Sequence, residues 1–252
     1  MAAEAVTVER IALISDVHGN LQALEAVLSD IRAGGITRIF NLGDLAGKGP
    51  DGAAVIDRSR EACEVTVKGN WDDQIAGAGT SQMYDWHRAQ IGEERAGYLA
   101  ELPTVFEFIL SGHRVRLFHA SSTGIYHRVR LGDPREGLVA LFVNTAFTGD
   151  GSPPTMVGYG DIHVAFSISF AGKTLFNPGS VGNPLDLPVA SYAVLEGAYG
   201  DERPAPWAVN VRRVPYDVEA AIAAGYASGM PDADHFANEL RTARYRGRTK
   251  AA

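Results

Sequence analysis

The stretch RIALISDVHGNLQALEAVLSDIRAGG, residues 10–35, decides the fold. It opens with a short, mostly apolar run that is typical of a buried β-strand. The following apolar residues recur at helical spacing, at Leu21, Leu24, Val27, Leu28 and Ile31. Asn20 is a suitable helix N-cap, and the glycines at 34–35 are a suitable helix end. The stretch therefore predicts a strand followed at once by a helix, with a polar segment at 16–18 where they join.

The same pattern continues after this unit. RIFNLG (38–43) predicts a second strand, GAAVIDRSRE (52–61) a helix, and EVTVKGN (64–70) a third strand. A β-α-β-α-β order predicts a parallel sheet with right-handed crossovers. A mostly helical stretch is expected next, over about 71–100.

The second half of the chain has a different pattern. VFEFIL and HRVRLFHA, separated by Ser111-Gly112, predict a hairpin. DPREGLVALFVNT (133–145) predicts a helix with Asp133 as its N-cap and Pro134 in its first turn. Further strands are expected in TMVGYG (155–160), HVAFSISF (163–170), KTLFNPGS (173–180), SYAVLEG (191–197) and WAVNVRRV (207–214). Two C-terminal helices are expected over about 216–245.

Parallel units followed by antiparallel ones predict two sheets packed together. The expected fold is therefore an α/β, four-layer α-β-β-α sandwich, with two packed mixed sheets and helices outside. The 252 residues, 46% of them hydrophobic, fit one large domain spanning 1–252.

Composition narrows the class of protein. A single cysteine, Cys63, excludes an internal disulfide framework and a thiolate-rich zinc site, and it favours a reducing, cytoplasmic compartment. No apolar run reaches the length of a membrane span, so no membrane partner is expected. The net charge of −7 disfavours a long nucleic acid, which usually requires a basic face. The arginines concentrated in ELRTARYRGRTK (239–250) are interpreted as a helix end with a solvated tail.

Polar side chains follow several of the predicted strands. They are Asp16, His18, Asp44, Asn70, His119, Asp161 and His163. Ligands of open α/β sheets lie beyond the carboxyl ends of the strands, so these donors are expected to converge. Imidazole, carboxylate and amide groups without thiolate suit Mn, Fe, Zn, Co or Mg. Seven donors exceed the needs of one tetrahedral ion, which favours two ions sharing a bridging carboxylate.

Each of these residues alone has an ordinary structural interpretation. Asp16 and Asn70 suit turns or helix caps, and His119 suits a buried, hydrogen-bonded core position. The order of the motifs is far more specific. In sequence they are DVHGN, GDLAGKGP, GNWDD, FHAS and GDIH, each behind an apolar strand.

In these motifs, over roughly residues 10–184, the chain resembles the calcineurin-like metallophosphoesterase family. It is most similar to the small bacterial and archaeal branch described as phosphodiesterase-like or diadenosine tetraphosphatase-like. The resemblance implies a hydrolase of phosphoric esters acting on a small phosphomonoester, phosphodiester or nucleotide. It also implies two divalent ions, with Mn expected first and Fe, Zn, Co or Mg as alternatives.

The resemblance also implies roles for the seven donors. Asp16, His18 and His163 would hold one metal, and Asn70, His119 and Asp161 the other. Asp44 would bridge them, and a water between the ions would become the hydroxide nucleophile. The catalytic set implied in this way is Asp16, His18, Asp44, Asn70 and His119.

Two positions depart from the family pattern. Trp71 stands where the motif Gly-Asn-His-Asp has its histidine, which is usually given the role of protonating the leaving group. Tyr126 and His127 are candidate substitutes, and an ordinary loop role suits them equally. Asp161 stands where Gly-His-x-His has its first histidine; a carboxylate is still a metal donor, so the second site is expected to be altered and not lost.

Two other functions compete with hydrolysis. A non-catalytic scaffold or binding protein could retain the fold, as a retromer subunit with this fold is thought to do. The full set of donors favours catalysis over a scaffold, which has no need of them. A nuclease acting on DNA is disfavoured by the acidic balance of the chain.

Overall fold

β1 (Glu9–Ile14) lies at the centre of a five-stranded sheet in the computed structural model, which describes residues 6–246. β2 (Arg38–Asn41) and β3 (Val65–Thr66) extend this sheet in parallel on one side. β9 (Ala190–Gly197) and β10 (Ala208–Val214) extend it antiparallel on the other, giving the order β10-β9-β1-β2-β3. The parallel sheet predicted from the first third of the chain is confirmed, although the third strand is only two residues long.

A second five-stranded sheet has the order β4-β5-β6-β8-β7. Its strands are β4 (Val105–Leu110), β5 (His113–Phe118), β6 (Met156–Tyr159), β7 (Ala165–Phe170) and β8 (Lys173–Pro178). β5, β6 and β8 run parallel, and β4 and β7 pair antiparallel at the two edges. The mixed character predicted for both sheets is therefore confirmed.

Alternation along β1 shows how the layers are stacked. Ile11 and Leu13 pack with β5, β6 and β8 side chains in a core between the two sheets. Ala12 and Ile14 point the other way, into a core shared with the helices. This period of two is what a strand buried on both faces requires.

Helices cover the outer face of the first sheet. They are α1 (Leu21–Ala33), α2 (Gly52–Ala62), α3 (Asn70–Asp73), α4 (Gln82–Glu101), α6 (Val218–Ser228) and α7 (Ala233–Thr242), with a π-helical turn at Gln74–Ala78 between α3 and α4. The Asn20 side chain accepts a hydrogen bond from the Ala23 N–H, so the predicted N-cap is confirmed. None of the helices in residues 6–246 is both long and apolar enough to span a bilayer.

The helix expected over 133–145 is much shorter. α5 runs only from Arg135 to Ala140, and it packs on the outer face of the second sheet through Leu138. The Asp133 carboxylate accepts the N–H of Arg130 instead of capping the helix. Beyond the helix, the Asn144 side chain accepts a hydrogen bond from the buried Arg116. Side-chain contacts of this kind, and not helical spacing, determine the conformation of the segment after Ala140.

The buried His87 on α4 makes stability depend on pH. It is 2% exposed and packs against the rings of Trp86 and Trp71. Burial lowers its pKa from 6.5 to about 4. The unfolded chain therefore binds a proton that the folded chain rejects, and stability is lost as pH falls from 6.5 toward 4. At about 1.4 kcal/mol per pH unit, this loss approaches roughly 3 kcal/mol.

We expect His87→Leu to flatten this part of the pH profile. Urea unfolding at about pH 7 and pH 4.5 would measure the change in the free energy of unfolding for wild type and variant. His127→Leu, which changes an exposed histidine, is the matched control. Equal losses of stability in wild type and His87→Leu would contradict the expectation.

Candidate metal centre

The seven predicted donors lie at one edge of the sheets and are buried, except Asn70, which is half-buried. Five of them have a positive φ, between +49° and +64°: Asp16, His18, Asp44, Asp161 and His163. Such left-handed backbone costs about 1–2 kcal/mol for a residue other than glycine. Backbone strain gathered on these residues is typical of a functional site.

Each Asp-x-His segment lies beyond the end of its strand, in left-handed backbone. In a continuing strand, the first and third residues would share a face. Here both Asp16 and His18 leave their strand through left-handed turns, and so do Asp161 and His163. The Nε2 atoms of His18 and His163 meet at 3.1 Å, although 145 residues separate them.

The first group of donors is Asp16, His18 and His163. The Oδ1 atom of Asp16 lies 3.2 Å from the Nε2 of His163 and 3.7 Å from that of His18. Its other oxygen, Oδ2, accepts the Ser15 hydroxyl at 2.6 Å. The structure thus brings together the three residues that the family resemblance assigns to one metal.

The second group surrounds His119. Its Nε2 lies 3.0 Å from Oδ1 of Asn70 and 3.4 Å from Oδ2 of Asp44, and 3.9 Å from Oδ1 of Asp161. Asp44 Oδ2 also lies 3.5 Å from the Nε2 of His18. Asp44 therefore stands between the two groups, where a bridging carboxylate would have to be.

Neighbouring backbone groups hold the donors in place. The Nδ1 of His119 faces the carbonyl of Leu42, and the Nδ1 of His163 faces that of Asn183. A carbonyl only accepts, so Nδ1 of each ring carries a proton, and Nε2 is the ring nitrogen directed at the cluster. Such outer hydrogen bonds commonly orient metal-binding histidines.

Asp72, which the sequence did not single out, shapes the loop around Asp44. Its buried carboxylate accepts the N–H groups of Asp44, Leu45 and Gly69 at 2.8–2.9 Å. Burial, then the charge of Asp44, raises its pKa to about 6. Gly69 must be glycine here, because a Cβ would lie 2.0 Å from Oδ1 of Asp44.

Charges in the cluster perturb one another. Burial would raise the pKa of Asp16, but the charges of His163 and His119 outweigh it and lower that pKa. Burial opposes protonation of His119, yet the carboxylates of Asp44, Asp16 and Asp161 raise its pKa well above the usual value. Burial and nearby Lys48 hold the pKa of His18 well below its usual value. The carboxylates therefore favour positive charge at His119, whereas burial and Lys48 disfavour it at His18.

The donors fit divalent ions. Oδ1 of Asp16 is buried and has no hydrogen-bonding partner among the described residues, although a buried carboxylate oxygen normally requires one. Carboxylate, imidazole and amide donors from separate strand ends suit a hard or borderline cation. Asp16, His18 and His163 form one group of donors close enough to hold an ion, and Asp16, Asp44 and His119 form a second.

Asp161 has a partner that the sequence did not reveal. Arg128 donates from Nε to Oδ2 at 2.8 Å and from Nη2 to Oδ1 at 2.7 Å. This two-point pair fixes the carboxylate plane. A carboxylate has about four lone-pair directions, so both oxygens keep a lone pair for a metal. Arg128 lies in a loop with no distinctive local pattern, which is why sequence reasoning missed it.

Trp71 packs beside the donors. Its ring meets the ring of His18 edge to face, at 5.7 Å, and covers Gly47, where an added Cβ would clash with it. Its backbone N–H donates to Oδ1 of Asp44 at 2.8 Å. The indole therefore occupies the space beside the first group without offering an acid.

The candidate substitutes for the missing histidine lie at the surface. The Tyr126 hydroxyl donates to Asp73 at 2.6 Å and accepts from Gln74, so its proton is already engaged. Burial and Asp73 raise the pKa of Tyr126, which weakens it further as an acid. His127 is exposed. Neither residue is placed as a proton donor by its described contacts.

A family model, the calcineurin-like phosphoesterase superfamily domain, matches residues 10–198. The chain belongs to the calcineurin-like phosphoesterase superfamily. The resemblance expected from the motifs is confirmed. Together with the donor groups, this membership supports a metal-dependent phosphoesterase, a hydrolase, in general terms.

Known proteins are similar to this chain in sequence or in structure. The uncharacterized protein MJ0912 of Methanocaldococcus jannaschii is 30% identical, covering 88% of this chain and 94% of its own. A metallophosphoesterase from Sphaerobacter thermophilus has a similar structure, with a TM-score of 0.73, 26% identity, and coverage of 94% of this chain and all of its own. The hypothetical protein PH1004 from Pyrococcus horikoshii shares the fold, with a TM-score of 0.72, 16% identity, and coverage of 95% and 99%. The four-layer fold predicted from the sequence is thus confirmed.

Proposed function

We propose that this protein hydrolyses small phosphoric esters at a centre of two divalent ions, with manganese as the first candidate. The observation that carries the proposal is Asp44 Oδ2, which stands 3.5 Å and 3.4 Å from imidazole nitrogens of the two donor groups. One carboxylate oxygen positioned between two groups is what a shared ligand requires.

When bound, the ions would supply Lewis-acid charge to a phosphoryl group and an activated water. The chain's own residues supply positioning and charge. Asp16, Asp44 and Asp161 would offset three of the four positive charges of two divalent ions. The hydrogen bonds at Nδ1 keep His119 and His163 oriented. Rigid donors on strand ends hold the reacting groups in line, which is most of what phosphoryl transfer needs.

A scaffold that merely kept the fold is the second candidate. The strained backbone argues against it, because left-handed backbone lowers the stability of the fold and a scaffold gains nothing from that strain. The strained donors are Asp16, His18, Asp44, Asp161 and His163. The cytoplasmic location expected from the single cysteine remains a prediction.

The direct test is metal reconstitution. Stripped protein would be reloaded with Mn, Fe, Zn, Co or Mg and assayed on phosphomonoesters and phosphodiesters. We expect two ions per chain by elemental analysis and activity only after reloading. Protein that binds no ion, or that is equally active when stripped, would contradict the proposal.

Asp161 should tune which metal works best. A carboxylate is a harder ligand than imidazole and lowers the net charge, so the site should favour Mn or Mg over Zn. We expect Asp161→Ala to weaken the second ion at least about 10-fold, in the range seen even for outer-shell changes. Asp161→His should move the preference toward Zn.

Metal stoichiometry and rates with Mn and Zn would measure both effects. Asp133→Asn is the matched control, because Asp133 lines the same cavity and contacts the backbone of Arg130. If Asp161→Ala held two ions as tightly as wild type and turned over as fast, Asp161 would not be a ligand.

A further inference from the structure

A cavity of about 610 Å³ opens beside the candidate metal centre. Asp161 and His163 contribute to its lining, so it adjoins both donor groups. Apolar side chains cover much of its wall: Leu131, Ile162, Val164, Leu185 and Tyr245. Three cationic side chains also line it: Lys48, Arg128 and Arg130. An organic molecule with anionic groups fits this lining.

Two of the three cations already have carboxylate partners. The Lys48 ammonium, 8% exposed, donates to Asn183 at 2.7 Å and lies 3.9 Å from Glu239 on α7. Arg128 is paired with Asp161 through two hydrogen bonds. The side chain of Arg130 has no ion pair or hydrogen bond with the described residues. Arg130 is therefore the uncompensated charge on this wall.

The local fold directs both arginines into the cavity. Val129, between them, is buried in the outer core, and its carbonyl accepts the hydroxyl of Tyr159 at 3.0 Å. The Arg130 N–H donates to the Asp133 carboxylate at 2.8 Å, which closes the turn that follows. These contacts place Arg128 and Arg130 on the same cavity wall, with the buried Val129 between them in sequence.

Both guanidinium groups keep donors free for a ligand. A guanidinium has five N–H groups, and Asp161 uses two of those on Arg128. Three remain, on a side chain that is 40% exposed. Arginine pairs well with phosphate and carboxylate because its planar fork matches two acceptor oxygens.

We propose that Arg128 and Arg130 form a second anion subsite, which binds a further phosphate or carboxylate of the same substrate. The substrate class is then an organic phosphate with at least two anionic groups, one at the donor cluster and one at this subsite. This inference rests on the proposed function, and it narrows the substrate class.

Binding of two matched ligands tests the subsite. Ethyl phosphate carries one anionic group, and 2-phosphoglycolate adds a carboxylate at similar size. Calorimetry on the manganese-loaded protein should show phosphoglycolate binding about tenfold more tightly, as expected for a charge-assisted pair in a partly closed cavity. Arg130→Ala should abolish this preference, and Arg130→Lys should keep part of it.

Arg135→Ala is the control, because it removes the same charge from a nearby arginine that lies over the ring of Phe170. Its preference should match wild type. Equal binding of the two ligands by wild type, or a preference that survives Arg130→Ala, would overturn the subsite even if aryl phosphates are hydrolysed. A preference that depends on Arg130 in a protein that hydrolyses no ester would uphold the subsite and refute the proposed function.

Discussion

Asp44→Asn should lower kcat for an aryl phosphate at least about 10³-fold, since losing even one preorganised charge-stabilising group costs about 10²- to 10³-fold. The Asp44 carboxylate lies between the two donor groups, 3.5 Å from His18 and 3.4 Å from His119. Replacing it weakens the hold on both ions at once. Asparagine is the right substitution, because it tolerates the left-handed backbone of Asp44, whose φ is +59°.

The rate of nitrophenolate release, together with metal content, would measure the effect. Asp57→Asn is the control: this carboxylate on α2 forms an exposed pair with Arg95, and its loss should leave kcat unchanged. Circular dichroism would show that both variants fold. An Asp44→Asn enzyme that keeps full activity and two ions would remove Asp44 from the shared position.

Aryl phosphates should be hydrolysed about 10²- to 10⁴-fold faster than alkyl phosphates, which is the range that general acid catalysis contributes. The position of the usual histidine holds Trp71, whose indole offers no transferable proton. One alternative predicted from the sequence, Tyr126, has its hydroxyl proton engaged by Asp73. A good leaving group such as nitrophenolate needs no protonation, whereas an alkoxide does.

Trp71→His should reduce the difference between aryl and alkyl phosphate hydrolysis rates, by raising the rate on alkyl esters. Trp71→Phe is the matched control, because it removes the same packing against His18 and Gly47 without adding an acid. The ratio of alkyl to aryl kcat is the measurement, since lost packing affects both substrates alike. Two results would contradict the interpretation that Trp71 leaves the site without a general acid. One is equal aryl and alkyl rates in wild type, and the other is no higher ratio of alkyl to aryl kcat in Trp71→His than in Trp71→Phe.

The sequence alone determined the order of elements and the kind of site. Hydrophobic periodicity is local, so residues 10–35 specified β1 and α1, including the Asn20 cap. The same reasoning predicted a helix over 133–145 that is longer than the observed α5, because Pro134 and the contacts of Asn144 decide its ends. Polar residues after apolar strands indicated a metal site, since parallel strands end at one edge. The ligand assignments themselves remain predictions.

Only the tertiary structure decided how those residues face one another. Beyond the strand end, the left-handed residues Asp161 and His163 both contact Asp16: the backbone N–H of Asp161 donates to Oδ2 of Asp16, 145 residues away in sequence, and the ring of His163 lies beside Oδ1. Arg128 reaches Asp161 across 33 residues, while the side chain of Arg130 has no ion pair with residues 6–246. Periodicity reports which face of an element is apolar. It does not predict φ at a strand end or contacts between distant loops. These two features determine the charge and shape of the cavity.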